Sequence, residues 1–169
     1  LGYEVLWSRY LSLLIFNNVY NHTLTITVIL VGIVLGSLIS SRIGDRTKRQ
    51  ALIFGLLQIG SGLTVMVILL LPATIWGAIS PTNYRMTLLA CTLVLLPPAI
   101  LSGASFPLAM RMAVDQADTA ATRVGFMTAM NTVGGIVGSL LAGFVLLPMV
   151  GLQGSLNVLT GCSILVGFA

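Results

Sequence analysis

Residues 24–39 read LTITVILVGIVLGSLI, a run of sixteen positions without a charge. Eleven of these carry strong apolar side chains, each worth roughly −0.3 to −0.6 kcal/mol on insertion into a bilayer. A crossing helix takes about 20 mostly apolar residues. Comparable runs cover residues 51–71, 86–110 and 124–150, and a last one begins near residue 152. Pro72 and Trp76 mark the far interface of the first of these. Residues 1–16 read as the end of a helix that precedes them all. The fold class is therefore all-α, a polytopic transmembrane helical bundle of about six membrane segments, the two outer ones incomplete.

Composition says the same. The AVILMFWYC set makes up 57% of the 169 residues and charged residues 7%, against roughly 25% charged in a typical globular chain. Four acids and eight bases cannot coat a soluble surface of this size. That excludes a soluble enzyme, a disordered tail and a nucleic-acid-binding module. The lipid bilayer is the expected partner, and nucleic acid is not. Residues 1–169 read as a single transmembrane domain. Leu1 is not a start methionine, and the last apolar run stops at Ala169 without a polar end, so this domain reads as a piece of a longer protein.

The linkers are short and polar. Residues 17–22 read as a turn that includes His22, and residues 42–49 read RIGDRTKR. Lys and Arg in short loops set orientation. Arg42, Arg46, Lys48, Arg49, Arg111 and Arg123 make six of the eight bases, and helix alternation puts them on one side. The basic loops 42–49 and 111–123 are expected to be cytoplasmic, most simply at a bacterial inner membrane.

Two charges fall inside the first segment. If its helix ends at Asn17, Arg9 lies about 12 Å from that end, near the middle of a core about 30 Å thick. Glu4 lies deeper still, and about 140° away around the helix, so the two pair poorly with each other. A buried charge costs roughly 2.5–3.5 kcal/mol on insertion scales, so each needs a partner or water. Glu4 and Arg9 either line a polar path or hold a charged ligand, or they pin the helix to its neighbours. Asn131, a lone amide in an apolar helix, either bonds across helices or touches a ligand.

Small residues and prolines supply the other signals. Gly32 and Gly36 form GxxxG, continued by Ser40, and Gly134 and Gly138 form a second, beside Gly135 and Gly143. Such spacing lets helix backbones approach closely, within the bundle or at a homodimer face. Pro97, Pro98 and Pro107 are expected to kink and interrupt one helix, and broken helices often line transport sites. No catalytic, cofactor-binding or metal-ligating constellation is visible. Asp115 and Asp118 read as a solvated cap or as local partners of Arg111. Cys91 and Cys162 both lie in apolar runs and read as packed small hydrophobes.

Taken together, these residues resemble a family. Gly2-Tyr3-Glu4-Val5-Leu6-Trp7-Ser8-Arg9 is similar to the GYExxWxR stretch in the first membrane helix of membrane-bound spermidine synthase-like proteins. Gly32 to Ser37, with Arg42-Ile43-Gly44-Asp45-Arg46, resembles that family's second helix and basic loop. Leu96-Pro97-Pro98-Ala99 with Gly103 and Phe106-Pro107 is similar to its LPP…GxxFP helix. Arg123-Val124-Gly125 with Asn131-Thr132-Val133-Gly134 and Gly138 resembles its RxGxxxxxNTxGxxxG helix. Leu146-Leu147-Pro148 with Gly151-Leu152-Gln153-Gly154-Ser155 is similar to its LLPxxGLxGS turn.

The resemblance implies a membrane part joined to a soluble aminopropyltransferase-like domain. That domain, missing from this sequence, would be the partner and would act on polyamines, using decarboxylated S-adenosylmethionine as its substrate. It further implies helices like half of a major facilitator bundle, though Ser41 stands where that superfamily's loop motif usually has aspartate. The expected function is anchoring, with transport or sensing of a polyamine or related small molecule. Two alternatives stay open: half of a small-molecule transporter of the major facilitator type, and a structural subunit of a membrane complex.

Overall fold

The computed structural model describes residues 2–14, 19–44, 49–70, 84–113 and 120–168. Among them the regular elements are all helical. They are α1 (Gly2–Leu14), α2 (Val19–Gly44), α3 (Gln50–Leu69), α4 (Tyr84–Ala113), α5 (Ala120–Leu140), a π-helical turn (Leu141–Leu146) and α6 (Leu147–Phe168). The stretches His22–Arg42, Gln50–Leu69, Cys91–Met112 and Ala121–Phe168 are long and apolar enough to cross a membrane. The chain is an all-helical integral membrane protein.

Ala121–Phe168 is 48 residues long, more than twice what one crossing needs. It divides at Gly151, whose backbone is non-helical at φ 71° and ψ 179°, a region essentially confined to glycine. The Ser155 hydroxyl donates back to the Gly151 carbonyl at 2.6 Å. Residues 120–150 and 152–168 are thus two segments, as the turn expected at Gly151 requires. Just before the break, the Leu147 N–H reaches the Ala142 carbonyl, the five-residue spacing of a π-turn. Ala142 is fully buried there.

Two expectations change. The first concerns α4, which runs unbroken from Tyr84 to Ala113 with Pro97, Pro98 and Pro107 inside it. Each proline removes one donor, and a helix packed among others tolerates that loss in a bilayer. The second concerns α2, which begins at Val19, so His22 lies in its first turns and not in a loop. Polar side chains at a helix end sit at headgroup depth without cost. Trp76, Asp115, Asp118, Arg46 and Lys48 lie outside the described residues.

Glycine decides how the helices pack. A Cβ on Gly32 would stand 2.5 Å from the Ala99 Cβ, and one on Gly36 would collide with the Ile100 carbonyl oxygen. From the other side, a Cβ on Gly103 would stand 2.5 Å from the Ile33 backbone. The pairings rise together in number, so α2 and α4 run parallel. The Arg111 guanidinium closes the seam, donating to the Ser41 carbonyl at 2.9 Å. This contact also places the α4 end of one basic segment beside the α2 end of the other.

A second seam joins α3 to α6 in the antiparallel sense. A Cβ on Gly55 would stand 2.5 Å from the Gly167 carbonyl oxygen, and one on Gly62 would meet Ile164. Between them the Ser163 hydroxyl contacts the Gln58 carbonyl at 3.1 Å and its side-chain oxygen at 3.2 Å. Gln58 is thus tied into this seam. With little hydrophobic drive between helices in lipid, such close contact is what holds them together. Outward-facing Leu30, Leu93, Phe144 and Leu165 are exposed, as a lipid-solvated surface permits.

Candidate functional site

Helix α1 lies against α2 and the α5–α6 region. Its Leu6 is fully buried and its Trp7 3% exposed, both in the hydrophobic core. The Trp7 ring meets Tyr10 edge-on, with centroids 5.6 Å apart. The Tyr3 hydroxyl donates to the Thr160 hydroxyl at 3.4 Å, joining α1 to α6. These contacts fix which face of α1 turns inward, and Glu4 lies between Tyr3 and Trp7 on that side.

Glu4 forms part of the wall of a cavity of about 70 Å³ between α1, α2 and α4. Tyr3 and Trp7 of α1, Ile29 and Ile33 of α2, and Leu95, Pro98, Ala99 and Ser102 of α4 complete it. The lining is almost wholly apolar apart from the carboxylate and the Tyr3 and Ser102 hydroxyls. The Ser102 hydroxyl stands 3.5 Å from that of Ser61 on α3. The Trp7 indole N–H is buried without a hydrogen-bond partner, a costly state for a donor. Pro98 connects the prolines of α4 to this site. It occupies the helix face that borders the cavity and cannot donate a backbone hydrogen bond there.

A second hollow, of about 220 Å³, lies between α1 and α2 and shares Glu4 and Ile29 with the first. Val5 and Ser8 of α1 and His22, Thr25, Ile26 and Leu30 of α2 also line it. Among the described residues Glu4 is the only carboxylate, and it borders both hollows.

The other sequence candidates are placed elsewhere. Arg9 is exposed and lines neither hollow. Asn131 is exposed on α5, far along the chain from the cavity lining. The structure therefore separates the three polar candidates and brings only Glu4 to a cavity. Gly32 and Gly36 pack against α4, whereas a Cβ on Gly134 or Gly138 would meet nothing within 4 Å. Cys91 is buried, Cys162 is exposed, and both are unbridged. No group of three metal-ligating side chains occurs among the described residues.

Sequence reasoning missed Ser102 and Ile29 as neighbours of Glu4. Trp7 shares a helix face with Glu4 at a spacing of three, which is a visible signal. Ser102 and Ile29 reach it only through the packing of α2 on α4, which no local pattern encodes.

The arrangement can do one kind of chemistry well. A carboxylate in an apolar cavity attracts a cation and offers it charge-assisted hydrogen bonds. A water needs about 10–15 Å³ of such space, so the cavity admits on the order of five waters or a small alkylammonium group. Compared with known proteins, the chain matches no family model, no curated protein and no solved structure.

Proposed function

We propose that this chain is a membrane domain that holds a small organic cation, an alkylammonium group, against Glu4. On this reading it is the membrane part of a spermidine synthase-like protein, anchoring a polyamine-modifying domain at the face that carries the basic loops. The observation that carries the reading is the cavity at Glu4: apolar walls, one carboxylate, and room for an ammonium head. The ordered set of motifs from Gly2 to Ser155 supports the family assignment.

Equilibrium binding of a short diamine, 1,4-diaminobutane, to the protein in lipid nanodiscs tests it. A hydrogen bond to a charged group is worth about 1.5–3 kcal/mol, roughly ten- to a hundredfold in affinity. Glu4→Gln should lose that much binding and still insert and fold. Equal binding by wild type and Glu4→Gln refutes the reading.

A second reading, a structural element of a larger membrane assembly, draws on α5. Its side chains from Ala121 to Met130 are almost all exposed, a surface available to a partner. Fixed partners that co-purify, together with indifference to Glu4→Gln, would select this second reading over the first.

A further inference from the structure

The two hollows beside Glu4 are neighbours. Glu4 and Ile29 border both of them. Along α2 the outer hollow is lined by His22, Thr25 and Ile29 in turn. These positions span about 10 Å at the helical rise. Ser8 faces the same hollow from α1. His22 is exposed at the end of α2 opposite Arg42, whereas Thr25 is 3% and Ile29 6% exposed. Polar groups therefore accompany the hollow from the exposed end inward: imidazole at His22, hydroxyls at Thr25 and Ser8, carboxylate at Glu4.

We infer that the α1–α2 groove is the access route by which an alkylammonium ion reaches Glu4, coming from the face opposite Arg42 and Arg111. This rests on the reading of Glu4 as the ammonium partner. The hydroxyls of Ser8 and Thr25 replace water around the ammonium as it passes, and Ile29 borders both groove and cavity. Charge selection then falls on Glu4.

Thiol labelling tests the route separately from the site. Thr25→Cys is made in a Cys91→Ala, Cys162→Ser background, with Ser8→Cys as a second reporter should the first misfold. The protein is reconstituted in vesicles and treated on each side with a water-soluble cationic methanethiosulfonate. Labelling is expected from the His22 side. 1,4-Diaminobutane at ten times its Kd should slow labelling about tenfold by mass action. In Glu4→Gln the labelling should persist and the protection should vanish.

Three results would overturn the route. Diamine binding that depends on Glu4, with both cysteines unreactive or unprotected, means that the ligand arrives elsewhere, and the Glu4 site survives. Reaction only with a lipid-dissolved maleimide means that acyl chains fill the groove. Absence of diamine binding to the wild type removes the site itself, and the route with it.

Discussion

Two GxxxG stripes in this chain have the same sequence signature and opposite surroundings. At Gly32 and Gly36 a Cβ would run into the α4 side chains and backbone; at Gly134 and Gly138 it would meet open space. The difference lies in the partner. Opposite the α2 stripe, α4 presents Ala99, Gly103 and Ala104, all buried. Both surfaces are flat, so the backbones interlock. A small-residue stripe tells where a backbone can come close. Only a second stripe of matching register tells that one does. The α2 seam also has a functional consequence, because it brings Ile29 and Ile33 up to Leu95 and Ala99 and so builds two walls of the Glu4 cavity.

The comparison can be broken most directly at Gly36. A Cβ there would collide with the Ile100 carbonyl oxygen and stand 2.9 Å from the Ala104 nitrogen. Backbone cannot rotate away as a side chain can. Gly36→Ala should therefore destabilise by about 3 kcal/mol, the upper part of the range for overpacking. Unfolding of the purified protein in micelles by graded addition of SDS would measure it. A wild-type midpoint would mean that α2 and α4 are not in contact as described. Because the seam forms the cavity, diamine affinity should fall in the same variant.

The α3–α6 seam sharpens the contrast with an intermediate case. A Cβ on Gly55 would meet the Gly167 carbonyl oxygen at 2.5 Å, again backbone, but near the end of α6, where the helix can shift. Gly55→Ala should cost about 2 kcal/mol. At Gly62 the nearest atom is the Ile164 Cγ1 at 2.9 Å, followed by the Thr160 carbonyl oxygen at 3.2 Å. The isoleucine can change rotamer, so Gly62→Ala should cost about 1 kcal/mol. The order Gly36, Gly55, Gly62 in the same unfolding assay is the prediction. Equal losses would show that side-chain and backbone obstacles cost the same in this bundle.

Much of the architecture is legible in the sequence, for physical reasons that differ by feature. Apolar runs such as residues 24–39 show because a bilayer requires length and hydropathy together. The break at Gly151 shows because a span of 48 residues must turn, and glycine there takes a φ of 71°. The seam at Gly55, Gly62 and Gly167 does not stand out. Its glycines on α3 are seven apart and so miss the GxxxG pattern, although they share a face two turns apart. The three prolines suggest a broken α4 that is in fact continuous, because their missing donors are a local signal and helix continuity is set by neighbours. For the site, depth in the membrane marks Glu4 and Arg9 alike. Which of them faces the bundle depends on how Trp7 and Leu6 bury themselves, and that settles only when α1 docks.

The smallest expected effect carries the sharpest information. A Cβ on Gly134 would touch nothing within 4 Å, so Gly134→Ala adds no clash within this chain. Alanine is the better helix former by about 1 kcal/mol. Gly134→Ala should therefore leave the unfolding midpoint unchanged or raise it slightly, opposite in sign to Gly36→Ala. A loss comparable to that at Gly36 would mean that something outside this chain packs on the α5 stripe. Self-association identifies it: if a second copy is there, a bulkier Gly134→Ile should abolish dimer crosslinking while the monomer stays folded. If the midpoint rises and crosslinking is absent in the wild type, the stripe faces lipid, and the comparison between the two motifs stands as drawn.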